Sequence, residues 1–100
     1  MRERSKQGGE SLHQAILSLR TPEECRCFLE DLCTITELRA MEQRMEVAAL
    51  LADGRIYSDI LRETGASSAT ISRVNRCLQY GAGGYRLVLA RRKENPDGGL

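Results

Sequence analysis

Residues 57–78 read YSDILRETGASSATISRVNRCL and have the pattern of two short helices joined by a tight turn at Gly65. The apolar residues at helical spacing in the two halves are Ile60, Leu61, Ile71, Val74 and Leu78. The second half also carries polar side chains, which are Ser68, Thr70, Ser72, Arg73, Asn75 and Arg76, and Gln79 follows directly after it. A packed first helix, a turn with glycine and a polar second helix are typical of a helix-turn-helix that reads DNA. The alternative is a plain helical hairpin inside an all-helical core.

The remainder of the chain has helix-start signals and no strand pattern. Residues 21–24 (TPEE) and 34–37 (TITE) each form a capping box, in which a threonine and a glutamate cap the first turn reciprocally. No segment alternates with the two-residue period of a strand. The helices expected outside the hairpin span residues 10–19, 22–33, 34–53 and 85–93. The sequence therefore predicts an all-α fold of about six helices with a helix-turn-helix.

The length and composition fit one small globular unit. The 100 residues are 41% hydrophobic and 29% charged. We expect a flexible arm at 1–9, a single helical domain at 10–93 with its helix-turn-helix at about 57–79, and a flexible tail at 94–100. No run approaches the ~20 apolar residues of a membrane helix, and the N-terminal residues lack the apolar core of a signal peptide. A cytoplasmic protein without a membrane partner is expected.

Charge is distributed unevenly although the net charge is only +1. Residues 10–54 carry nine acidic and four basic side chains, whereas residues 55–93 carry eight basic and two acidic ones. The basic excess coincides with the half that contains the proposed helix-turn-helix, as a DNA-binding surface requires. A solvated basic face without a partner is the simpler alternative.

Catalytic and metal-binding patterns are missing from the sequence. His13 is the only histidine, and the sequence offers no Ser/His/Asp or Cys/His catalytic set around it. The four cysteines form no CxxC pair, which disfavours zinc, and they are expected to be buried, reduced thiols. We therefore expect no enzyme activity, no metal and no cofactor.

The long helix at 34–53 has two apolar stripes. The first consists of Ile35, Leu38, Met41, Met45 and Ala48, and the second of Val47, Leu50 and Leu51. A helix with two apolar faces packs on two sides. In so small a protein, one of those sides is expected to contact a second copy of the chain, which predicts a homodimer.

Two runs resemble a known family. They are LCTITELRAMEQRMEVAALLADG at 32–54 and GRIYSDILRETGASSATISRVNRCLQYGAGGYRLVL at 54–89. Together they resemble the bacterial Trp-repressor-like proteins of the YerC/YecD family and, more distantly, the tryptophan repressor. The resemblance covers about residues 10–90 and is most specific at 65–73 (GASSATISR). It implies an intertwined, all-helical homodimer with two projecting helix-turn-helix heads that bind double-stranded DNA.

The second helix of the hairpin has the residue types that DNA contact requires. Small side chains in its first turn let a helix enter the major groove, and arginines reach phosphate or guanine. The residues expected to contact DNA are Arg62, Ser67, Ser68, Ala69, Thr70, Ser72, Arg73 and Arg76.

The resemblance also implies a position for an effector pocket. Its lining would be Thr34, Arg44, Thr70, Arg73 and Val74. The tryptophan repressor has glycine where Val74 stands, and overpacking by a valine costs roughly 1–3 kcal/mol, about ten- to a hundredfold in affinity. Weak or absent tryptophan binding is therefore expected. Thr34 could instead serve only as a helix cap, and Arg44 only as an ion-pair partner.

The sequence thus predicts a DNA-binding transcriptional regulator of the Trp-repressor-like type that does not respond to tryptophan. The alternative is a small, dimeric helical interaction module whose DNA-reading head is not functional.

Overall fold

A computed structural model describes residues 2–94 of the chain. This part is built from α-helices without a strand. The helices are α1 (Arg2–Leu17), α2 (Pro22–Leu32), α3 (Ile35–Ala52), α4 (Tyr57–Thr64), α5 (Ser68–Tyr80) and α6 (Gly84–Glu94). The prediction of an all-α fold with about six helices is confirmed. Met1 and residues 95–100, which include most of the predicted tail, lie outside the described residues.

The first helix differs from its predicted bounds. It begins at Arg2 rather than at residue 10 and ends at Leu17 rather than at residue 19. The Arg, Glu, Lys and Gln residues at its start all have good helix propensity. Gly8 and Gly9, which suggested a break, each cost only about 1 kcal/mol in a helix. Residues 2–9 thus belong to α1, and the flexibility of this segment stays a prediction.

The chain divides into two compact units, one up to Ile35 and the other from Thr36 onward. The first unit contains α1 and α2. The predicted start of α2 is confirmed, since the Thr21 hydroxyl accepts a hydrogen bond from the Glu24 backbone N–H at 3.1 Å. The Glu24 carboxylate in turn accepts from the Arg20 backbone N–H at 2.8 Å, one residue earlier than an ideal capping box.

The second unit, α3 to α6, contains an aliphatic core. Its fully buried residues are Val47, Ala48, Ile60, Ala66, Ile71 and Val74. Leu50, Leu51, Tyr85 and Leu89 pack around them. Burying one such aliphatic side chain stabilises a fold by roughly 1.5–3 kcal/mol. Because α4, α5 and the turn between them supply four of these six residues, the helix-turn-helix and the core form together.

The long helix α3 buries only part of its apolar surface. Val47 and Ala48 in its second half are fully buried, whereas Met41 and Ile35 in its first half are 37% and 68% exposed. The apolar surface of the first half therefore remains open to solvent in the single chain.

The cysteines do not match the sequence-based expectation. Cys25, Cys27 and Cys77 are exposed and Cys33 is half-buried, and all four are free thiols. The expectation of buried thiols was wrong for three of them, because α2 has no buried residue and Cys77 lies on an outer flank of α5. Among the described residues, no group of His, Cys, Asp and Glu side chains is arranged to hold a metal ion.

The described helices include none with the length and hydrophobicity needed to cross a membrane.

The turn between α5 and α6 depends on Gly81. Its backbone N–H donates to the Cys77 carbonyl at 2.8 Å. A Cβ atom at this position would collide with that same carbonyl, which belongs to the backbone and cannot rotate away. At Gly84, the first residue of α6, a Cβ atom would meet open space.

Gly81→Ala is expected to lower the free energy of unfolding by about 1–3 kcal/mol, because the end of α5 must shift to admit the methyl group. In a domain of this size each kcal/mol lowers Tm by roughly 4–8 °C. Gly84→Ala is the matched control and is expected to keep or slightly raise Tm, since alanine has the higher helix propensity. Thermal unfolding followed by circular dichroism compares the two variants, and equal Tm values would contradict the collision.

Candidate nucleic-acid interface

Helices α4 and α5 are joined by a three-residue turn at 65–67. Gly65 has φ +73°, in the left-handed region that glycine occupies without steric cost. Its N–H donates to the Leu61 carbonyl at 3.0 Å and so ends α4. Ala66 then turns into the core, where it is buried. Two helices joined by a tight turn thus occupy the stretch where the sequence predicted a helix-turn-helix, at about residues 57–79.

Polar side chains fix the shape of this turn. The Thr64 hydroxyl donates to the Ile60 carbonyl at 2.7 Å and accepts from the Ala66 N–H at 3.0 Å. The Thr64 carbonyl accepts a further hydrogen bond from Nε2 of Gln43, on α3, at 3.2 Å. The turn is consequently tied both to the preceding helix and to α3.

Ser67 is the N-cap of α5. Its backbone is extended, and its Oγ accepts from the Thr70 N–H at 3.1 Å. The same hydroxyl donates to Thr70 Oγ1 at 3.1 Å. A serine cap of this kind stabilises a helix by about 1 kcal/mol. Ser67 and Thr70, which are both expected to contact DNA, are thus brought together. Their hydroxyls are hydrogen-bonded to each other at the N-terminus of α5.

One side of α5 is buried and the opposite side is open. The buried anchors are Ile71, Val74 and Leu78. The residues on the opposite side, here called the outer face, are Ala69, Arg73, Arg76 and Tyr80, and all four are exposed. Their spacing of four, three and four residues places them along one line of the helix. Ser68 and Ser72 are exposed beside this line.

The arginines of the outer face are available to a partner. Within the described part of the chain, neither Arg73 nor Arg76 forms an ion pair with a carboxylate. Tyr80, which is 86% exposed, extends the same line to the end of α5. Sequence reasoning missed Tyr80, although its position four residues after Arg76 already indicated the shared face.

Arg62, on α4, is in a different electrostatic setting. Its guanidinium lies 2.7 Å from the Asp59 carboxylate, and its side chain is 71% exposed. Such exposed pairs contribute only about 0–1 kcal/mol, so a phosphate group can replace the carboxylate as the partner. Arg62 remains a predicted DNA contact, but to bind a phosphate it must first give up its ion pair with Asp59.

Asp59 also belongs to a charged group at the start of α4. Arg55 Nε lies 3.8 Å from Asp59, and its guanidinium donates a hydrogen bond to Glu63. That hydrogen bond, together with the negative charge of Glu63, raises the pKa of the Arg55 guanidinium above its ordinary value. These contacts connect the loop before α4 to the first and last turns of the helix.

The C-terminal end of α5 is held by α6. Arg86 Nε donates to the Leu78 carbonyl at 2.8 Å, and its Nη2 contacts Gln79 Oε1 at 3.4 Å. Carbonyls in the last turn of a helix have no partner within the helix, and a cation nearby also favours the helix dipole. Gln43 and Arg86 were not among the predicted functional residues, since their partners are backbone atoms of other helices.

The residues of the implied effector pocket lie in different surroundings. Thr34 precedes α3 and belongs to the first unit, whereas the other four residues belong to the second. Arg44 and Thr70 are half-buried, and Arg73 is exposed. Val74 is only 1% exposed and is part of the aliphatic core.

Comparison with known proteins agrees with this architecture. Residues 7–93 match the family model described as Trp repressor protein. The Bacillus subtilis (strain 168) protein YerC is 53% identical over 85 residues, which cover 85% of this chain and 82% of YerC. A TrpR-like protein from Eubacterium eligens ATCC 27750 is 54% identical in sequence. Its crystal structure matches with a TM-score of 0.82 over 85% of this chain and 88% of that chain. The crystal structure of a Staphylococcus aureus protein is 44% identical, with a TM-score of 0.83 and coverage of 86% of both chains. The chain, whose residues 2–94 form six helices, therefore belongs to the Trp repressor family.

Proposed function

We propose that this chain is a sequence-specific DNA-binding regulator of transcription, which acts as a homodimer in the cytoplasm and does not respond to tryptophan. The observation that carries the proposal is the outer face of α5. Two arginines without an ion-pair partner among the described residues stand on a helix whose other side is anchored in the core. This combination of a fixed scaffold and an open cationic face is what a recognition helix needs.

The side chains of α5 support insertion into the major groove. Ser68 and Ala69 at its N-terminal end are small and exposed, so the backbone can approach the base edges closely. Arg73 and Arg76 lie one and two turns further along, where they can reach guanine or phosphate. Ser72 is a hydrogen-bonding group beside them. Arg62, Ser67 and Thr70 complete the proposed contact set.

Exposed apolar side chains support the homodimer. Apart from Tyr80 on the outer face of α5, those at least half exposed in the single chain are Leu17, Leu32, Ile35, Ile56 and Leu87. Burying these side chains against a second copy of the chain would remove their apolar surface from water, which favours association. A two-fold symmetric pair would also present two α5 helices to the two halves of a palindromic site. The intertwining implied by the family resemblance stays a prediction.

The burial of Val74 supports independence from tryptophan. Its side chain is packed with other core residues, including Val47 and Ile60. The family resemblance implies that a bound tryptophan ring would need this space. Removing Val74 from this position would require a rearrangement of the core.

The deciding experiment is the selection of bound sequences from a random DNA pool at physiological salt. We expect enrichment of a palindromic motif. For a duplex carrying it, the logarithm of the association constant should fall linearly with the logarithm of salt concentration, by about 0.9 per neutralised phosphate. Failure to enrich any motif, or equal affinity for all duplexes, would contradict sequence-specific control. It would favour the alternative, a helical interaction module with an inactive head.

A further inference from the structure

The reading head, defined as α4, α5 and their turn (residues 57–80), is fastened at both of its helix C-termini by side chains from outside it. Gln43 of α3 donates to the carbonyl of Thr64, the last residue of α4, at 3.2 Å. Arg86 of α6 donates through Nε to the carbonyl of Leu78, in the last turn of α5, at 2.8 Å.

Both acceptors are carbonyl groups that a helix cannot satisfy by itself. The last four carbonyls of a helix lack an intrahelical donor and usually bond to water or to a cap. Here the donors stand on separate helices, so each bond fixes one helix against another. Both bonds are at partly buried positions, where exchange with water is less favourable than on an open surface.

We propose that Gln43 and Arg86 are positioning residues, which hold the reading head in its DNA-binding orientation without a bound effector. The inference rests on the proposed function, in which α5 contacts DNA. It adds that two hydrogen bonds, from Gln43 and from Arg86, set the orientation of the reading head. Gln43 is on α3 and Arg86 is on α6, so both are outside the outer face of α5. Their proposed role does not require contact with the nucleic acid.

The hydrogen bonds from Gln43 and Arg86 give a directional constraint that the core beneath the head does not give. Ile60, Ile71 and Val74 belong to one aliphatic core together with residues of α3, and burial of apolar surface has little directional preference. Hydrogen bonds weaken steeply when their geometry is disturbed. A head held only by aliphatic contacts could adopt a range of orientations relative to the core, whereas the two hydrogen bonds select one orientation.

The test uses the full-length protein with Gln43→Met and Arg86→Met, which keep much of the side-chain volume and remove the donors. Amide hydrogen exchange of residues 57–80 in the free protein is expected to accelerate roughly three- to tenfold, the effect of losing one hydrogen bond. Exchange at Val47 and Ala48 of α3, away from both substituted positions, should not change. Gln14→Met, at an exposed position on α1, is the matched control and should leave exchange in the head unchanged.

DNA binding is the second measurement. On the selected duplex, both variants should bind roughly three- to tenfold more weakly, because a smaller fraction of heads has the binding orientation. The dependence of affinity on salt should keep its slope, since no phosphate contact is lost. Arg86→Lys, which retains a donor and the charge, should recover part of the lost affinity.

Unchanged exchange in both variants would overturn the proposal. So would accelerated exchange with unchanged DNA affinity, or equal acceleration throughout the second unit, which would indicate general destabilisation. If the unmodified protein binds no DNA, the proposed function fails separately, and the exchange rates alone then confirm or overturn the tethering of the head.

Discussion

Replacing Arg73 and Arg76 together by alanine is expected to remove specific duplex binding while the chain stays folded and associated. Both side chains are on the exposed outer face of α5, and truncating them takes no atom from the core. A guanidinium that contacts a base contributes roughly 1–3 kcal/mol, so the pair should contribute about 30- to 25,000-fold in affinity. Fluorescence anisotropy with the selected duplex measures the loss.

The matched control is Arg26→Ala combined with Arg39→Ala. It removes the same charge from two other exposed positions, on α2 and α3. If affinity depended only on net charge, both double variants would lose it equally, and the role of the outer face would be contradicted. Light scattering on all samples checks that the oligomeric state is retained. A helical interaction module would keep its partner after the Arg73 and Arg76 substitutions.

Salt dependence separates the roles of the two arginines. A variant that loses a phosphate contact should show a salt slope smaller by about 0.9, together with uniformly weaker binding to all sequences. A variant that loses a base contact should instead keep the slope and relax the preference at one position. Measuring the salt slope of Arg73→Ala and of Arg76→Ala separately therefore shows whether each arginine contacts a DNA phosphate or a base.

The local signals in the sequence were sufficient for the helix-turn-helix. A capping serine depends only on residues within one turn, and Ser67 bonds the N–H of Thr70 as such a cap should. The left-handed conformation of Gly65 is likewise a property of one residue and its neighbours. Apolar spacing then identified Ile71 and Val74 as buried, because a 3.6-residue period leaves little choice of face.

Contacts between helices were beyond prediction from spacing alone. The bond from Gln43 to Thr64 links residues 21 positions apart through a side chain and a backbone carbonyl, so no pair of residue types indicates it. The pairing of Arg62 with Asp59 depends on rotamers, and the same spacing would also allow Arg62 to face solvent. The extension of α1 to Arg2 is not evident from the sequence, because Gly8 and Gly9 interrupt the run of helix-forming residues.

L-Tryptophan is expected to show no micromolar binding to the unmodified protein in calorimetry, and to leave its DNA affinity unchanged. The physical reason is the space taken by Val74, which is buried with Val47, Ala48 and Ile60 in a close-packed core. The family resemblance implies that the ring would lie at this position, where it would have to displace these side chains at a cost of roughly 1–3 kcal/mol. Micromolar binding would contradict the blocking role of Val74.

Val74→Gly tests the same idea in the opposite direction. Loss of the isopropyl group should destabilise the chain by about 2–3 kcal/mol, with about 1 kcal/mol more from glycine in a helix. If Val74 is the block, millimolar L-tryptophan should raise the Tm of this variant, because a ligand that binds only the folded state stabilises it. Ile71→Ala is the matched control, since it opens a cavity on the same helix and should gain no ligand response. Equal insensitivity of both variants would mean that residues other than Val74 exclude tryptophan, because the slot would then be open and still unoccupied.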